Sequence, residues 1–345
     1  VPPAFKVNAK DKEHLSNWGF SDTEFQINSS GNVILSGSRY SMCGDELPHL
    51  IPWIDRVMDI KVDASDINKS RAKQAKIPDS IINEKFLLQV RGFLKKSQIE
   101  SDAKLRLRHG HGHTQEEMYT LKYGKFDRIP DLVVFPTSEE EVRKLVKAAV
   151  THNVSLIPYG GGTNVTEALK CPENEKRMIV SVDMKRMNRI LWIDKVNQMA
   201  CIEAGAVGRH INEQLNDYYY VLGHEPDSIE FSTLGGWIAT HASGMKKNKY
   251  GNIEDIVVDM SVITTNGDLS KSSLNPRESV GSDFRRWMFG TEGNFGIITK
   301  AVVKIFPKPE VQKYGSILFP DIEKGVMFMH ELTKIGTKPA SVRLV

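Results

Sequence analysis

Leu132-Val-Val-Phe135, Pro136-Thr-Ser-Glu-Glu-Glu-Val142 and Val154-Ser-Leu-Ile-Pro-Tyr-Gly-Gly-Gly-Thr-Asn164 are the stretches whose reading decides the fold. The apolar run at 132–135 predicts a short buried strand, closed by Pro136 and Thr137. Ser138, with Glu141 three residues later, predicts a capping box that opens a helix. Val142, Leu145, Val146 and Ala149 recur at spacings of three and four and mark its buried face. A second strand over 154–157 then empties directly into a glycine loop. This is a strand–helix–strand unit of the kind that builds mixed sheets.

Toward the C-terminus the pattern predicts strands at 178–182, 189–193 and 199–203 and a helix from 207 to about 219. A longer strand at 256–264 turns at Asn266-Gly267, the strongest hairpin signal in the chain. A further strand at 297–305 is closed by Pro307 and Pro309. Toward the N-terminus the polarity is mixed. Residues 48–58 suit an amphipathic helix with Trp53, Ile54, Val57 and Met58 on its apolar side, and 61–76 read as a polar loop. The first third is therefore read as a helical appendage on a larger domain. No internal repeat or low-complexity segment is present.

The chain has 345 residues, room for two domains or one with appendages. Forty-six basic and 43 acidic residues leave a formal charge of +3, which makes no case for nucleic acid. No apolar run approaches the roughly 18–20 residues of a membrane-spanning helix. Cys43, Cys171 and Cys201 lie far apart without a CxxC pair, which points to a reducing compartment or an organelle interior. The start at Val1-Pro-Pro, without methionine, reads as processed or trimmed, and the alternating Ser341-Val-Arg-Leu-Val345 as a new strand-like segment beginning.

Three glycine clusters carry the chemistry. Gly160-Gly161-Gly162 can turn its backbone N–H groups onto an anion such as a diphosphate, though on its own it reads first as a tight turn. It is neither a Walker A loop nor GxGxxG opening a helix. The second cluster sets Ser232, Thr233, Thr240 and Ser243 among Gly235, Gly236 and Gly244, small residues with hydroxyls for a polar ligand or for close helix packing. The third is Gly290-Thr-Glu-Gly-Asn-Phe-Gly-Ile-Ile298. Together they suggest loops converging on one extended cofactor with a diphosphate at its middle.

PYGGGTN, DSIEFSTLGGWIATHASG, KKNKYGNIEDIVVDMSVITTNG and TEGNFGIIT resemble the FAD-binding domain of the vanillyl-alcohol oxidase / p-cresol methylhydroxylase superfamily. RIPDLVVFPTSEEEV, MNRILWID, GHEPDSIEFSTLGGW and SGMKKNKYGNIED more closely resemble the alkyldihydroxyacetonephosphate synthase family, flavoenzymes that make the ether bond of ether lipids. The similarity runs from about Asn17-Trp18-Gly19-Phe20 to Arg343. It implies an α+β, two-subdomain FAD-binding fold with an N-terminal helical appendage and a cap domain barely begun. The implied boundaries are 1–125, 126–310 and 311–345.

The same resemblance implies site residues. Pro158, Tyr159, Gly160, Gly161, Gly162, Thr163 and Asn164 would wrap the FAD diphosphate. Pro226, Asp227, Ser228, Ile229, Glu230, Phe231 and Ser232, with Ala239, Thr240, His241 and Ala242, would line the isoalloxazine and ribityl groups. Glu292, Gly293, Asn294, Phe295, Gly296, Ile297 and Ile298 would hold the adenine half. No histidine or cysteine matches a covalent flavin link, so FAD is expected to be noncovalent.

Arg343 matches an arginine that the family needs for activity, although alone it reads as a solvent-facing strand residue. The family's cap residues lie downstream of this stretch. His111-Gly-His113 resembles a family motif, whereas His109-Gly110 departs from it, and His241 stands where the family pattern has arginine. The three alternating histidines lack a carboxylate or cysteine at metal-ligand spacing, and no metal is assigned. The run Lys246-Lys-Asn-Lys249 is a solvated charge cluster or a brace for the flavin site.

The implied reaction exchanges the acyl group of acyl-dihydroxyacetone phosphate for a long-chain fatty alcohol through a flavin N5 adduct, with no net redox. Peroxisomal location, peripheral membrane association and a homodimer follow from the resemblance alone, with residues 48–58 a candidate membrane contact. Two alternatives stand beside it: a flavin-dependent 2-hydroxy-acid dehydrogenase or oxidase, and a non-catalytic FAD-binding module.

Overall fold

The computed structural model describes residues 12–15, 17–63, 77–271, 275 and 278–345. Most of the polar loop expected at 61–76 lies outside the described residues. Near the N-terminus, β1 (Phe25–Ile27), β2 (Val33–Leu35) and β3 (Glu46–Leu47) form a small antiparallel sheet. The mixed polarity of this region predicts a mostly helical appendage, without this sheet. Strands of two or three residues are decided by pairing across the ladder, which local pattern does not carry. The helix expected at 48–58 forms over Leu50–Met58, with none of its residues buried.

A four-stranded sheet follows from β4 (Ile99–Glu100), β5 (Leu132–Val134), β6 (Ser155–Tyr159) and β7 (Ile179–Asp183), in the order β4-β5-β7-β6. β5, β7 and β6 are parallel, and β4 joins antiparallel at the edge. The helix Glu139–His152 connects β5 to β6. Its N-cap is Ser138, whose hydroxyl accepts from the Glu141 N–H at 3.2 Å. The reciprocal half of the expected box is absent. The Glu141 carboxylate instead accepts from the Thr137 N–H at 2.7 Å and from Gln98 Nε2 at 2.8 Å. Gln98 is buried beside it, so the carboxylate ties two segments together rather than closing its own helix.

This sheet and its helices enclose Phe86, Val90, Val134, Leu145 and Val180. Phe86 and Val90 belong to the helix Glu84–Arg91, so part of the first third is built into this core.

The chain continues through β8 (Ile190–Asp194), β9 (Met199–Glu203), β10 (Tyr220–Val221), β11 (Val257–Thr264), β12 (Gly267–Leu269), β13 (Ile297–Lys304) and β14 (Phe306–Pro307). Five of them make an antiparallel sheet ordered β12-β11-β13-β9-β8. The hairpin expected at Asn266-Gly267 joins β11 to β12, with Gly267 at φ 130°. The strand expected at 297–305 forms as β13 and stops at Lys304, ahead of Pro307. Phe306 and Pro307 pair with Val221 and Tyr220. The helices Gly208–Asn216 and Leu234–Ala239 cover this sheet, burying Ile211, Leu215, Trp237 and Ile238 against Ile190, Ile202 and Val257.

Residues 341–345 form no strand. Their alternation is satisfied differently: the Leu344 side chain packs at Gly325 of the helix Ile322–Lys334, where an added Cβ would stand 2.6 Å from it.

Candidate functional site

β6 delivers the glycine run to a cavity of about 390 Å³ between the two larger sheets. Ligands of parallel sheets commonly sit beyond the carboxyl ends of the strands, and this loop lies there. All seven residues from Pro158 through Asn164 line the cavity. Among the described residues no acceptor meets the N–H groups of Gly161, Gly162, Thr163 and Asn164. Unpaired backbone donors beside a cavity suit an anion with several oxygens.

The glycines are required by close approach to the neighbouring loop. A Cβ on Gly161 would lie 2.2 Å from the Phe231 carbonyl oxygen. Gly162 has φ 62°, and its Cβ would meet Arg108 Nη1 at 2.6 Å.

From the second cluster, Pro226, Asp227, Ser232, Ala239, Thr240 and Ala242 line the cavity. Ser228, Ile229, Glu230 and Phe231 do not. Ile229 packs against the core of the five-stranded sheet, while Glu230 and Phe231 are held by the N-terminal segment. Phe231 packs against Phe20 and Trp18 at ring separations of 4.5 and 5.7 Å, and Glu230 accepts from the Tyr40 hydroxyl at 3.0 Å. Burial, with Glu230 beside it, pushes the Tyr40 hydroxyl up to about 12. His241 also stands outside the lining. Its ring stacks on Phe289, and Nε2 lies 3.2 Å from Glu254 Oε2.

From the third cluster, Glu292, Gly293, Gly296 and Ile298 line the cavity, whereas Asn294 and Phe295 are exposed and Ile297 is buried in the core. Glu292 Oε1 accepts from Thr166 Oγ1 at 2.5 Å and so joins this loop to the end of the glycine loop. Met184 and Ala204 line the cavity without having been singled out. They follow strand ends, and nothing in their local sequence marks them. Arg343 is exposed and is not among the lining residues.

The three histidines separate onto different partners. His109 pairs with Asp183 at 2.9 Å. His111 stacks on Phe126 at 5.6 Å, and burial pushes its ring below the usual value. His113 lies against Trp18, and burial with the Arg108 charge brings it down to about 4. Among the described residues no group of three or more His, Cys, Asp or Glu is placed to hold a metal.

FAD fits this donor set. The free N–H groups suit a diphosphate, and the Asp227 and Glu292 carboxylates suit ribityl or ribose hydroxyls. The apolar walls from Pro158, Trp237 and Ile298 suit flat rings. No His or Cys lies among the described lining residues.

Residues 130–273 match the family model described as an FAD binding domain. An alkyldihydroxyacetonephosphate synthase of Caenorhabditis elegans is 43% identical over 332 residues, 96% of this chain and 55% of that protein. One from Trypanosoma brucei brucei is 38% identical over 308 residues, 87% of this chain and 50% of that protein. A solved structure of an alkyldihydroxyacetonephosphate synthase matches with a TM-score of 0.88 at 32% identity, covering 97% of this chain and 61% of that one. The chain thus spans about half the length of the curated relatives it matches. Its mixed helix-and-sheet architecture is the FAD-binding fold expected from the sequence.

Proposed function

We propose, from the premise that this chain is a homologue of the alkyldihydroxyacetonephosphate synthases and carries an FAD binding domain, that it is the flavin-holding part of such a synthase. The reaction exchanges the acyl group of acyl-dihydroxyacetone phosphate for a long-chain fatty alcohol. One carbon–oxygen ester bond is broken and one ether bond formed, fatty acid leaves, and no electrons are gained or lost. The observation that carries this reading is 43% identity sustained over 96% of the chain. When bound, FAD supplies a ring that activates the dihydroxyacetone carbon. The chain's own contribution is to hold and orient it. The Gly161–Asn164 amides take the diphosphate, Asp227 and Glu292 take hydroxyls, and the apolar walls keep water from the ring.

The remaining expectations belong to the same proposal. FAD is retained noncovalently, Arg343 acts with the cap, and the product feeds ether lipids, plasmalogens among them, in the peroxisome. The full-length protein is a homodimer on a membrane surface. Exposed Trp53, Val57 and Met58 on the helix Leu50–Met58 support that contact. Among the described residues no helix is long and apolar enough to cross a membrane.

The test is turnover of the full-length protein with palmitoyl-dihydroxyacetone phosphate and labelled hexadecanol. The reading expects one fatty acid released per labelled ether formed, without oxygen uptake or dye reduction. Dye reduction by D-lactate or glycolate, with no labelled ether, would replace it with the hydroxy-acid oxidoreductase.

A further inference from the structure

Arg108 ends the helix Ala103–Arg108, directly behind the glycine loop, and is 5% exposed. Its Nη2 donates to the Gly161 carbonyl at 3.0 Å and to Glu13 Oε2 at 3.1 Å. Its Nη1 is buried and has no hydrogen-bond partner among the described residues. The guanidinium lies 5.7 Å from the Tyr159 ring centre, and Nη1 crowds the Cα side of Gly162. A guanidinium, paired on its outer side with the Glu13 carboxylate, is therefore buried against a cavity loop whose amides are free.

Two consequences follow from elementary geometry. In a trans peptide the C=O and the following N–H point in opposite directions. Pulling the Gly161 carbonyl toward Arg108 therefore turns the Gly162 N–H away from Arg108, toward the cavity that Gly162 lines. The second consequence is electrostatic. No Lys or Arg is among the described residues that line the cavity, whose charged side chains are the carboxylates of Asp227 and Glu292, so the lining attracts an anion through its dipoles alone. Arg108 is the cation bonded to the loop from behind, in a buried setting where charge is poorly screened.

We infer that Arg108 is a positioning residue for the cofactor diphosphate, fixing the Gly161–Gly162 peptide with its N–H toward the phosphates and placing a buried positive charge behind them. This rests on the reading of the cavity as the FAD site. Arginine suits the task through its fork, since one arm holds the carbonyl while the other is left toward Gly162. Lysine would keep the charge without the geometry.

The test uses the full-length protein stripped of flavin, titrated with FAD by quenching of flavin fluorescence and with ADP as a competitor carrying the diphosphate. The thermal midpoint of each flavin-free variant is measured alongside. R108Q is expected to weaken FAD and ADP together by roughly 10- to 100-fold, the range for losing a charge-assisted hydrogen bond. R108K should fall between R108Q and the parent, with its flavin-free midpoint close to that of the parent. FAD affinity for R108Q within threefold of the parent would overturn the inference. So would R108K losing as much affinity as R108Q while both lose midpoint in step, because that pattern reports packing alone. Should R108Q fail to fold, R108K decides: parental affinity overturns the inference, and a partial loss at an unchanged midpoint upholds it. If the parent itself takes up no FAD, the cofactor reading fails instead, and the two failures are distinguishable.

Discussion

His109 Nε2 lies 2.9 Å from Asp183 Oδ2, and His109 Nδ1 lies 2.8 Å from the Leu105 carbonyl oxygen. Both partners are acceptors, and they anchor the buried ring at its two nitrogens. Burial pushes the Asp183 carboxyl up, but the Lys185 charge and the His109 hydrogen bond outweigh it and hold the group below its ordinary value. A carboxylate depressed in the folded state contributes its stability above the unfolded value of about 3.9 and loses it as pH falls through the folded value. Asp183→Ala takes away the buried acceptor that His109 Nε2 and Lys185 Nζ meet. A loss of about 1–3 kcal/mol in urea unfolding at pH 7 is expected, and no measurable loss would contradict the contact.

His224 predicts the opposite direction with pH. It is fully buried, edge-on to Trp237 at 5.1 Å, and burial brings its ring down to about 4. Its folded form resists a proton that the unfolded chain accepts near about 6.5. The stability it contributes is complete above that value and is lost progressively as pH falls toward 4, by roughly 3 kcal/mol in all. Unfolding free energies of the parent and His224→Leu, compared between pH 7 and 4, should show a shallower decline in the variant. Parallel curves would mean that His224 is protonated in the fold.

Phe86 ties the helix Glu84–Arg91 to the core of the four-stranded sheet and is wholly buried. Phe86→Ala should cost about 3–5 kcal/mol in denaturant unfolding. A cost near zero would return that helix to the status of a detachable appendage.

Gly161 sets the distance between the glycine loop and the Phe231 backbone. In Gly161→Ala the new Cβ would meet the Phe231 carbonyl carbon at 2.7 Å, and backbone cannot swing aside as a side chain can. FAD affinity should fall about tenfold or more, read by flavin fluorescence. Unchanged affinity would show that the loop has slack the structure does not display.

The parts legible in the sequence were those with a local cause. The Leu132 strand, the Ser138 cap and the glycine run declare themselves through spacing and side-chain chemistry, and all form. The destination of the Glu141 carboxylate was illegible because its partner, Gln98, lies 43 residues away. In the second cluster, Phe231 sits between cavity-lining Pro226 and Thr233 yet turns outward, drawn by Phe20 and Trp18 from the other end of the chain. Arg108 was hidden for a similar reason. Nothing in Leu105-Arg-Leu-Arg108 marks it, and only the packed fold brings it beneath Gly161, 53 residues away.

The most direct measurement is the visible absorbance spectrum of the purified full-length protein before and after adding palmitoyl-dihydroxyacetone phosphate. The account predicts the two bands of oxidised flavin, bleached by that substrate without oxygen uptake. Flavin bands that ignore the substrate would contradict the synthase reading, and a colourless protein that FAD does not reconstitute would contradict the cofactor site itself.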